Sequence, residues 1–187
     1  FMVGGLGIDN IKRLQLLDRS ALENSLDFKL GPKSLLITYH PVTLETDTAE
    51  KQMGELLAAL LALKDTQLIF TLPNADTDGR TLIKMVEKFV AQHPNASAYT
   101  SLGQLRYLSC IAQVDGVVGN SSSGLAEVPS FKKGTINIGD RQRGRLQAES
   151  VINCEPTCES IAAALAQLYS TDFQSTLHHV INPYGEG

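Results

Sequence analysis

Short apolar runs alternate with longer amphipathic segments from one end of the chain to the other. The short runs have the length of buried strands, and the segments between them carry apolar residues at helical spacing. This alternation is typical of βα units, in which helices cover both faces of a parallel sheet. The pattern predicts six strands: Ser34–Tyr39, Gln67–Leu72, Ala96–Tyr99, Gly116–Gly119, Thr135–Ile138 and Val151–Cys154.

The segments between the strands predict the helices. The clearest is Asp47–Leu63, which has a wide leucine face and begins with an acidic residue followed by Glu50, as an N-cap and a first-turn carboxylate would. Right-handed crossovers then predict an α/β fold: one Rossmann-like three-layer domain over residues 1–187, with a mainly parallel sheet and ligands bound beyond the carboxyl ends of its strands. The other predicted helices are Asp9–Leu17, Gly79–Gln92, Gly103–Ala112, Ser122–Ser130 and Pro156–Tyr169.

Composition and charge exclude several classes of protein. The formal net charge is −4 and the basic residues are dispersed apart from a short cluster at 141–145, so no nucleic-acid partner is expected. No apolar run approaches the roughly 20 residues that a membrane-spanning helix needs, so no membrane partner is expected either. The three cysteines, Cys110, Cys154 and Cys158, have no partner ligands at metal spacing. Their odd number favours a reducing cytoplasm, and neither a metal nor a cofactor is predicted.

The run at residues 118–127 has the strongest ligand-binding pattern. Two glycines flank Ser121, Ser122 and Ser123 where a helix is predicted to begin. Free backbone N–H groups, the helix dipole and serine hydroxyls together suit a phosphate or diphosphate. The alternative is an ordinary serine N-cap, for which one serine would be enough. Glu127, about one turn into the helix, is either a plain first-turn glutamate or an acceptor for vicinal sugar hydroxyls.

Two other loops follow strands at the same edge of the sheet. His40 comes directly after the first strand, and Pro41 favours an extended conformation there, which presents the imidazole to the ligand edge. On position alone, His40 could equally be a capping or surface residue. Asn74 lies nearest the end of the second strand and is the residue of that loop expected at a ligand. Asp76 and Asp78 fit an ordinary turn and helix cap better.

The loop after the fifth strand alternates arginines with small or polar residues between glycines. Arg141 and Arg143 could each contact a phosphate bidentately. One of them is expected only to pair with Asp140 or Glu149. Arg141 is the better phosphate candidate because it is nearer the strand end.

Three blocks taken together resemble the hydrolysing UDP-N-acetylglucosamine 2-epimerases of sialic acid biosynthesis. They are Thr-Tyr-His-Pro-Val-Thr at 38–43, Gly-Asn-Ser-Ser-Ser-Gly at 119–124 with Glu127, and Ile-Asn-Ile-Gly-Asp-Arg-Gln-Arg-Gly-Arg at 136–145. Weaker likeness covers nearly the whole chain, and the non-hydrolysing branch looks different at the histidine and arginine loops. The family has two Rossmann-like domains of the GT-B type, and this chain resembles the carboxy-terminal one alone.

The resemblance implies a role for each matching residue. Ser121 and Ser122 would contact the diphosphate of a UDP-sugar, Glu127 would hold the ribose hydroxyls, and Arg141 would help neutralise the phosphates. His40 would lie beside the diphosphate and the reacting sugar and support departure of UDP, which makes it the one catalytic residue predicted here.

The remaining predicted UDP-binding residues are Asn74, implied near the uridine, and Ser123 and Arg143. In the complete enzyme the resemblance implies elimination of UDP from UDP-N-acetylglucosamine across C1 and C2, followed by addition of water to give N-acetylmannosamine. It also implies a homo-oligomer, and it assigns the acidic catalytic residues mostly to an amino-terminal domain.

Both ends of the chain look cut. The amino-terminal catalytic domain and a last helix are expected to lie outside residues 1–187, so the chain is interpreted as a fragment that is inactive by itself. Two alternatives stay open at this point. One is a glycosyltransferase domain of the same two-domain architecture, and the other is a non-catalytic nucleotide-sugar-binding module.

Overall fold

Six parallel strands form one sheet, which fixes the architecture of the molecule. The computed structural model describes residue 11 and residues 13–42, 46–74 and 77–185. In this part of the chain the strand order is β3-β2-β1-β4-β5-β6, and every pairing is parallel. Each predicted strand lies within one residue of an observed one at both ends. The strands are β1 Lys33–Thr38, β2 Thr66–Thr71, β3 Ala96–Tyr99, β4 Gly116–Gly119, β5 Gly134–Ile138 and β6 Val151–Cys154.

Helices cover both faces of the sheet and lie in every connection between strands except the loop 139–150 that joins β5 to β6. On one face α2, α3 and α6 pack against Leu35 and Ile37 of β1; on the other, α1 and α4 pack against Leu36. The predicted three-layer α/β fold is confirmed. Among the described residues no helix is both long and apolar enough to cross a bilayer. The helices are α1 Arg19–Leu26, α2 Thr46–Leu60, α3 Thr77–Gln92, α4 Gly103–Gln113, α5 Ser123–Ala126, α6 Cys158–Leu168 and α7 Thr171–Leu177.

The prediction of one helix over Ser122–Ser130 is wrong. The segment forms the four-residue helix α5 and then a 3-10 turn at Val128–Phe131. Pro129 has no N–H to donate back to the Leu125 carbonyl, so an α-helix cannot continue regularly through it. The serine run therefore precedes a single turn of helix, and only a small helix dipole acts there.

Other helix predictions differ at their ends. The predicted helix Pro156–Tyr169 begins at Cys158, because the Thr157 hydroxyl accepts the Ser160 N–H as an N-cap. Helix α1 was not predicted; the Asp18 carboxylate accepts the Ala21 N–H at 2.8 Å and caps it. Helix α7 was not predicted either. Residues 9, 10 and 12 of the predicted helix Asp9–Leu17 lie outside the described residues; residues 11 and 13 are helical, and residues 14–17 are not.

The strand order places a crevice beyond the carboxyl ends of β1 and β4. From β1 the chain runs outward through β2 to β3, then returns so that β4 pairs with β1 on its other side. The crossovers from β1 and β4 therefore lead to opposite sides of the sheet. Such a switch point is where open α/β sheets bind their ligands.

Candidate functional site

Asn120, which directly follows β4, ties the ends of the two central strands together. Its side chain is fully buried: Oδ1 accepts a hydrogen bond from the His40 N–H at 2.8 Å, and Nδ2 donates to the His40 carbonyl at 2.8 Å. The Asn120 N–H also donates to the Thr38 carbonyl at 3.2 Å. The main chain of His40 is thereby fixed at the carboxyl edge of the sheet, beside the end of β4.

The His40 side chain is half-buried and lines a pocket at this edge. The pocket has a volume of about 350 Å³ and lies beyond the ends of β1, β2 and β3, beside the start of α4. Glu127, Tyr107 and residues 71–72 and 100–104 also line it. Two predicted residues from separate loops, His40 and Glu127, therefore face one cavity. Its size is at the lower end of the range for small-molecule sites, about 300–1,000 Å³.

Two effects lower the pKa of His40. The larger is burial, which disfavours the imidazolium ion, and the second is the positive charge of Arg141 nearby. The imidazole is therefore neutral at neutral pH, with one ring nitrogen able to donate a hydrogen bond and the other able to accept one. The effect of Arg141 also indicates that the histidine loop and the arginine loop are close in space.

Glu127 is a half-buried carboxylate at the end of α5. Its backbone N–H donates to the Ser123 carbonyl at 2.9 Å, which fixes its main chain. Burial raises the pKa of the carboxyl group. Within the described part of the chain, no lysine or arginine forms a salt bridge with it. A carboxylate that is partly removed from water and has no ion-pair partner is suited to accept hydrogen bonds from ligand hydroxyls.

The serine run is ordered by hydrogen bonds among its own members and by Tyr107 of α4. The Tyr107 hydroxyl and Ser123 Oγ are 2.5 Å apart, and Ser121 Oγ accepts from Ser123 Oγ at 3.3 Å. Ser122 precedes α5 but makes no side-chain capping bond, whereas Ser121 Oγ accepts the Ser123 N–H at 3.4 Å. Burial raises the pKa of Tyr107, which keeps its hydroxyl protonated.

The arginine loop is anchored to the same asparagine. Gln142 is buried, and its Nε2 donates to the Asn120 carbonyl at 2.7 Å. Arg141 is exposed, and its NH1 donates to the same carbonyl at 3.3 Å. Among the described residues, neither Arg141 nor Arg143 forms an ion pair with Asp140 or Glu149, so the predicted pairing is not found.

Arg143 points to a different part of the molecule. It lines a cavity of about 680 Å³ beyond β5 and β6, together with Asn137, Asn153 and Glu155. The structure thus brings His40 and Glu127 to one pocket and leaves Arg143 at a neighbouring cavity. The serines and Arg141 are not among the residues that line the His40 pocket: Ser123 is connected to it through Tyr107, and Arg141 is connected to the His40 loop through Asn120.

Asn74 is exposed at the end of β2 and is not among the residues that line the His40 pocket. Asp76 and Thr43 lie outside the described residues, as does the side chain of Asp78. Over the described ranges, no three His, Cys, Asp or Glu side chains lie close enough to hold a metal ion.

Comparison with known proteins identifies the family. The family model described as UDP-N-acetylglucosamine 2-epimerase matches residues 1–187. The chain belongs to this family. The family predicted from the three sequence blocks is confirmed.

Two relatives are similar over most of the chain. A Campylobacter jejuni protein named GDP/UDP-N,N'-diacetylbacillosamine 2-epimerase (hydrolyzing) is 37% identical over 175 residues, which are 93% of this chain and 45% of that protein. An Escherichia coli protein named polysialic acid biosynthesis protein P7 is 36% identical over 185 residues, 98% of this chain and 47% of that protein. The chain spans about half the length of the curated relatives it matches.

A solved structure extends the comparison to the fold. The S. aureus MnaA–UDP co-structure matches with a TM-score of 0.75 and 17% identity, covering 98% of this chain and 48% of that one. At this identity the likeness is evidence of fold alone. It confirms the predicted equivalence to one half of a two-domain GT-B-type enzyme.

Three residues of this 2-epimerase-family site were not predicted from the sequence. Asn120 was included in the serine run but was not predicted as a site residue. Its position directly after Gly119, the last residue of β4, is the local signal that could have identified it. Gln142 lies between two arginines, whose charge gives them the stronger phosphate-binding pattern. Tyr107 lies within an amphipathic helix, where an aromatic residue is ordinarily read as core.

Proposed function

We propose that this chain is the UDP-binding, carboxy-terminal half of a hydrolysing UDP-N-acetylglucosamine 2-epimerase. The complete enzyme would convert UDP-N-acetylglucosamine to N-acetylmannosamine and UDP. The observation that carries the proposal is that His40 and Glu127 line one pocket, while Asn120 links the His40 loop to Arg141 and the Tyr107 hydroxyl links the pocket to Ser123. The family match over residues 1–187 supports an epimerase over a glycosyltransferase domain.

The polar groups of the crevice divide between the parts of UDP by their chemistry. Ser121 and Ser122 offer hydroxyls to the diphosphate, and Arg141 offers a cation without an acidic partner in the described structure. Glu127 accepts from the two ribose hydroxyls. Asn74 at the uridine, and Ser123 and Arg143 as further UDP contacts, stay predictions.

The proposed reaction begins with elimination of UDP. A base removes the C2 proton of the sugar, the C2 electron pair forms a C1=C2 double bond, and the C1–O bond breaks with its electrons going to the departing diphosphate. Water then adds across the double bond and releases the free sugar with inverted C2. Such a reaction needs a base at C2 and stabilisation of the leaving group.

This chain's residues serve the leaving group. The neutral His40 imidazole donates a hydrogen bond to the departing diphosphate, and Arg141 offsets the negative charge that develops there. The base at C2 is assigned to the other half of the complete enzyme. The chain alone is therefore proposed to bind UDP without turnover. The cytoplasmic location and the homo-oligomer stay predictions.

A second candidate substrate is UDP-N,N'-diacetylbacillosamine. The relative at 37% identity is named as a hydrolysing epimerase of that sugar, whereas UDP recognition would be the same for both substrates. Incubating the full-length parent with each UDP-sugar, with no acceptor present, separates the two by rate. Release of a free 2-epimeric sugar without acceptor also contradicts a glycosyltransferase.

Calorimetric titration of the 187-residue chain with UDP tests the binding half of the proposal. We expect binding that is lost in a Ser122→Ala, Arg141→Ala double variant. Arg145→Ala is the matched control, since this arginine is exposed in the same loop and outside the predicted set, and it should bind like the wild type. Absence of UDP binding by the wild-type chain would overturn the proposal. Turnover of the UDP-sugar by the chain alone would contradict the assignment of the C2 base to the other half of the enzyme.

A further inference from the structure

Gln142 is an exception within its loop. Asp140, Arg141, Arg143 and Arg145 are all exposed, whereas Gln142 is only 2% exposed. Its Nε2 donates to the Asn120 carbonyl at 2.7 Å, but within the described structure its Oε1 is buried without a hydrogen-bond partner. A buried acceptor that lacks a partner is destabilising. The amide thus combines one unsatisfied acceptor with one short hydrogen bond to the Asn120 carbonyl, and this hydrogen bond is its polar contact with the rest of the site.

Asn120 is the residue whose carbonyl accepts the hydrogen bond from the Gln142 amide. Its side chain accepts a hydrogen bond from the His40 N–H and donates one to the His40 carbonyl. Its own backbone carbonyl accepts hydrogen bonds from the Gln142 and Arg141 side chains. One buried residue thus contacts the histidine loop with its side chain and the arginine loop with its backbone. The relative position of the two loops is set through a single peptide unit.

We propose that Asn120 and Gln142 are a pair of positioning residues for the diphosphate. Asn120 holds the backbone of His40, and Gln142 holds the loop that carries Arg141, so that the imidazole and the guanidinium face the same ligand group. Neither side chain is assigned a contact with UDP. The assignment rests on the function proposed above, and it adds two residues that neither the sequence pattern nor the family match identifies.

The pair has a measurable consequence in the free protein. Burial and the charge of Arg141 lower the pKa of His40, while Glu127 and Tyr107 are the other titratable groups at its pocket. If Gln142 no longer anchors the loop, Arg141 spends less time near the imidazole. The pKa of His40 then rises towards its ordinary value, without any ligand present.

The test compares Gln142→Met with Gln147→Met. Methionine has nearly the size of glutamine but cannot donate to the Asn120 carbonyl. Gln147 is an exposed residue whose amide bonds Asn153 at the other cavity, so its variant is a matched control. NMR titration of His40, assigned by its absence in His40→Gln, and calorimetry with UDP are the two readouts. Arg141→Ala sets the size of the His40 response.

We expect Gln142→Met to raise the pKa of His40 in the direction seen for Arg141→Ala and to weaken UDP binding three- to tenfold. Gln147→Met should change neither quantity. A Gln142→Met protein with wild-type UDP affinity and an unshifted His40 would overturn the positioning role. If Arg141→Ala still loses UDP binding, that result refutes the positioning role and leaves the proposed function intact. If instead the wild-type protein does not bind UDP, the proposed function is refuted, and the His40 titration alone tests the positioning role.

Gln142→Glu provides a second test that does not depend on how the methionine variant folds. An ionised glutamate cannot donate to the Asn120 carbonyl, but a protonated one can. We therefore expect the UDP affinity of Gln142→Glu, relative to wild type at the same pH, to recover as the pH falls through the carboxyl range. A ratio that does not change with pH would contradict the hydrogen bond as the source of positioning.

Discussion

A methyl group on residue 119 would lie 1.9 Å from the Thr38 carbonyl oxygen. Gly119 ends β4 with a φ of +146°, and this conformation brings its backbone directly against the end of β1. We expect Gly119→Ala to lower the free energy of unfolding by about 2–4 kcal/mol, because both the φ angle and the contact become strained. Urea denaturation measures the change.

The control for that substitution is Gly54→Ala. Gly54 lies inside helix α2, and the nearest atom to an added Cβ is Met85 Cε at 4.0 Å. Alanine in a helix interior is favoured over glycine by about 0.5–1 kcal/mol, so this variant should be more stable than the wild type. Equal losses in the two variants would refute the close approach at the strand ends.

Glu127 should lower the stability of the ligand-free protein at neutral pH. Its folded pKa is raised by burial, so its contribution to stability is fully present below the unfolded pKa and is lost as the pH rises through the folded pKa. Glutamine has no ionisable carboxyl group, so Glu127→Gln removes the destabilisation that ionisation of Glu127 causes at neutral pH. We expect the variant to melt at a higher temperature than the wild type at pH 7, with the difference shrinking as the pH falls through the carboxyl range.

The same Glu127→Gln variant should bind UDP more weakly, because an amide replaces a carboxylate as the proposed acceptor for the ribose hydroxyls. Thermal melts across pH and one UDP titration at pH 7 measure both effects. A variant with less stability than the wild type at pH 7 would mean that Glu127 has a structural partner.

Tyr107 should influence UDP binding through the serine run. Tyr107→Phe removes the hydroxyl that bonds Ser123 and leaves the ring in place. One hydrogen bond contributes about 1 kcal/mol net, so we expect UDP affinity to fall about fivefold. A double-mutant cycle with Ser123→Ala checks this: the double variant should be little weaker than either single one, and fully additive losses would contradict the coupling.

Arg141 and Arg143 should differ in their effect on UDP binding. Arg141 shares the Asn120 carbonyl with Gln142 near His40, while Arg143 lines the neighbouring cavity. Loss of a charge-assisted hydrogen bond costs about 1.5–3 kcal/mol, which predicts a loss of at least tenfold for Arg141→Ala. Arg143→Ala should lose less. Titrations at two salt concentrations measure the difference, and a larger loss for Arg143→Ala would reassign the two arginines.

The strands could be predicted because buried parallel strands are nearly continuous apolar runs with turn residues at their ends. The helices were less predictable where a single residue decides the outcome. Pro129 divides one predicted helix into α5 and a 3-10 turn. Helix α1 begins at the Asp18 cap and buries only two of its residues, so its apolar pattern is weak. Hydrophobic periodicity carries little information about either event.

The candidate site could likewise be predicted only as far as local sequence information reaches. Residues that follow strands could be assigned to one edge because parallel topology collects the strand ends there. Asn120 and Gln142 could not be assigned, because their roles depend on which distant groups meet a buried amide. Asn120 bonds a residue 80 positions away, and no local pattern encodes such a contact.

That separation has a kinetic consequence. Strands β1, β2 and β3 can pair successively through short crossovers, but β4 reaches β1 only after a long return of the chain. Contacts between distant parts of a sequence form slowly during folding. The His40–Asn120 hydrogen bonds can form only once β4 has paired with β1, so the proposed UDP-binding surface is incomplete until that late pairing has taken place.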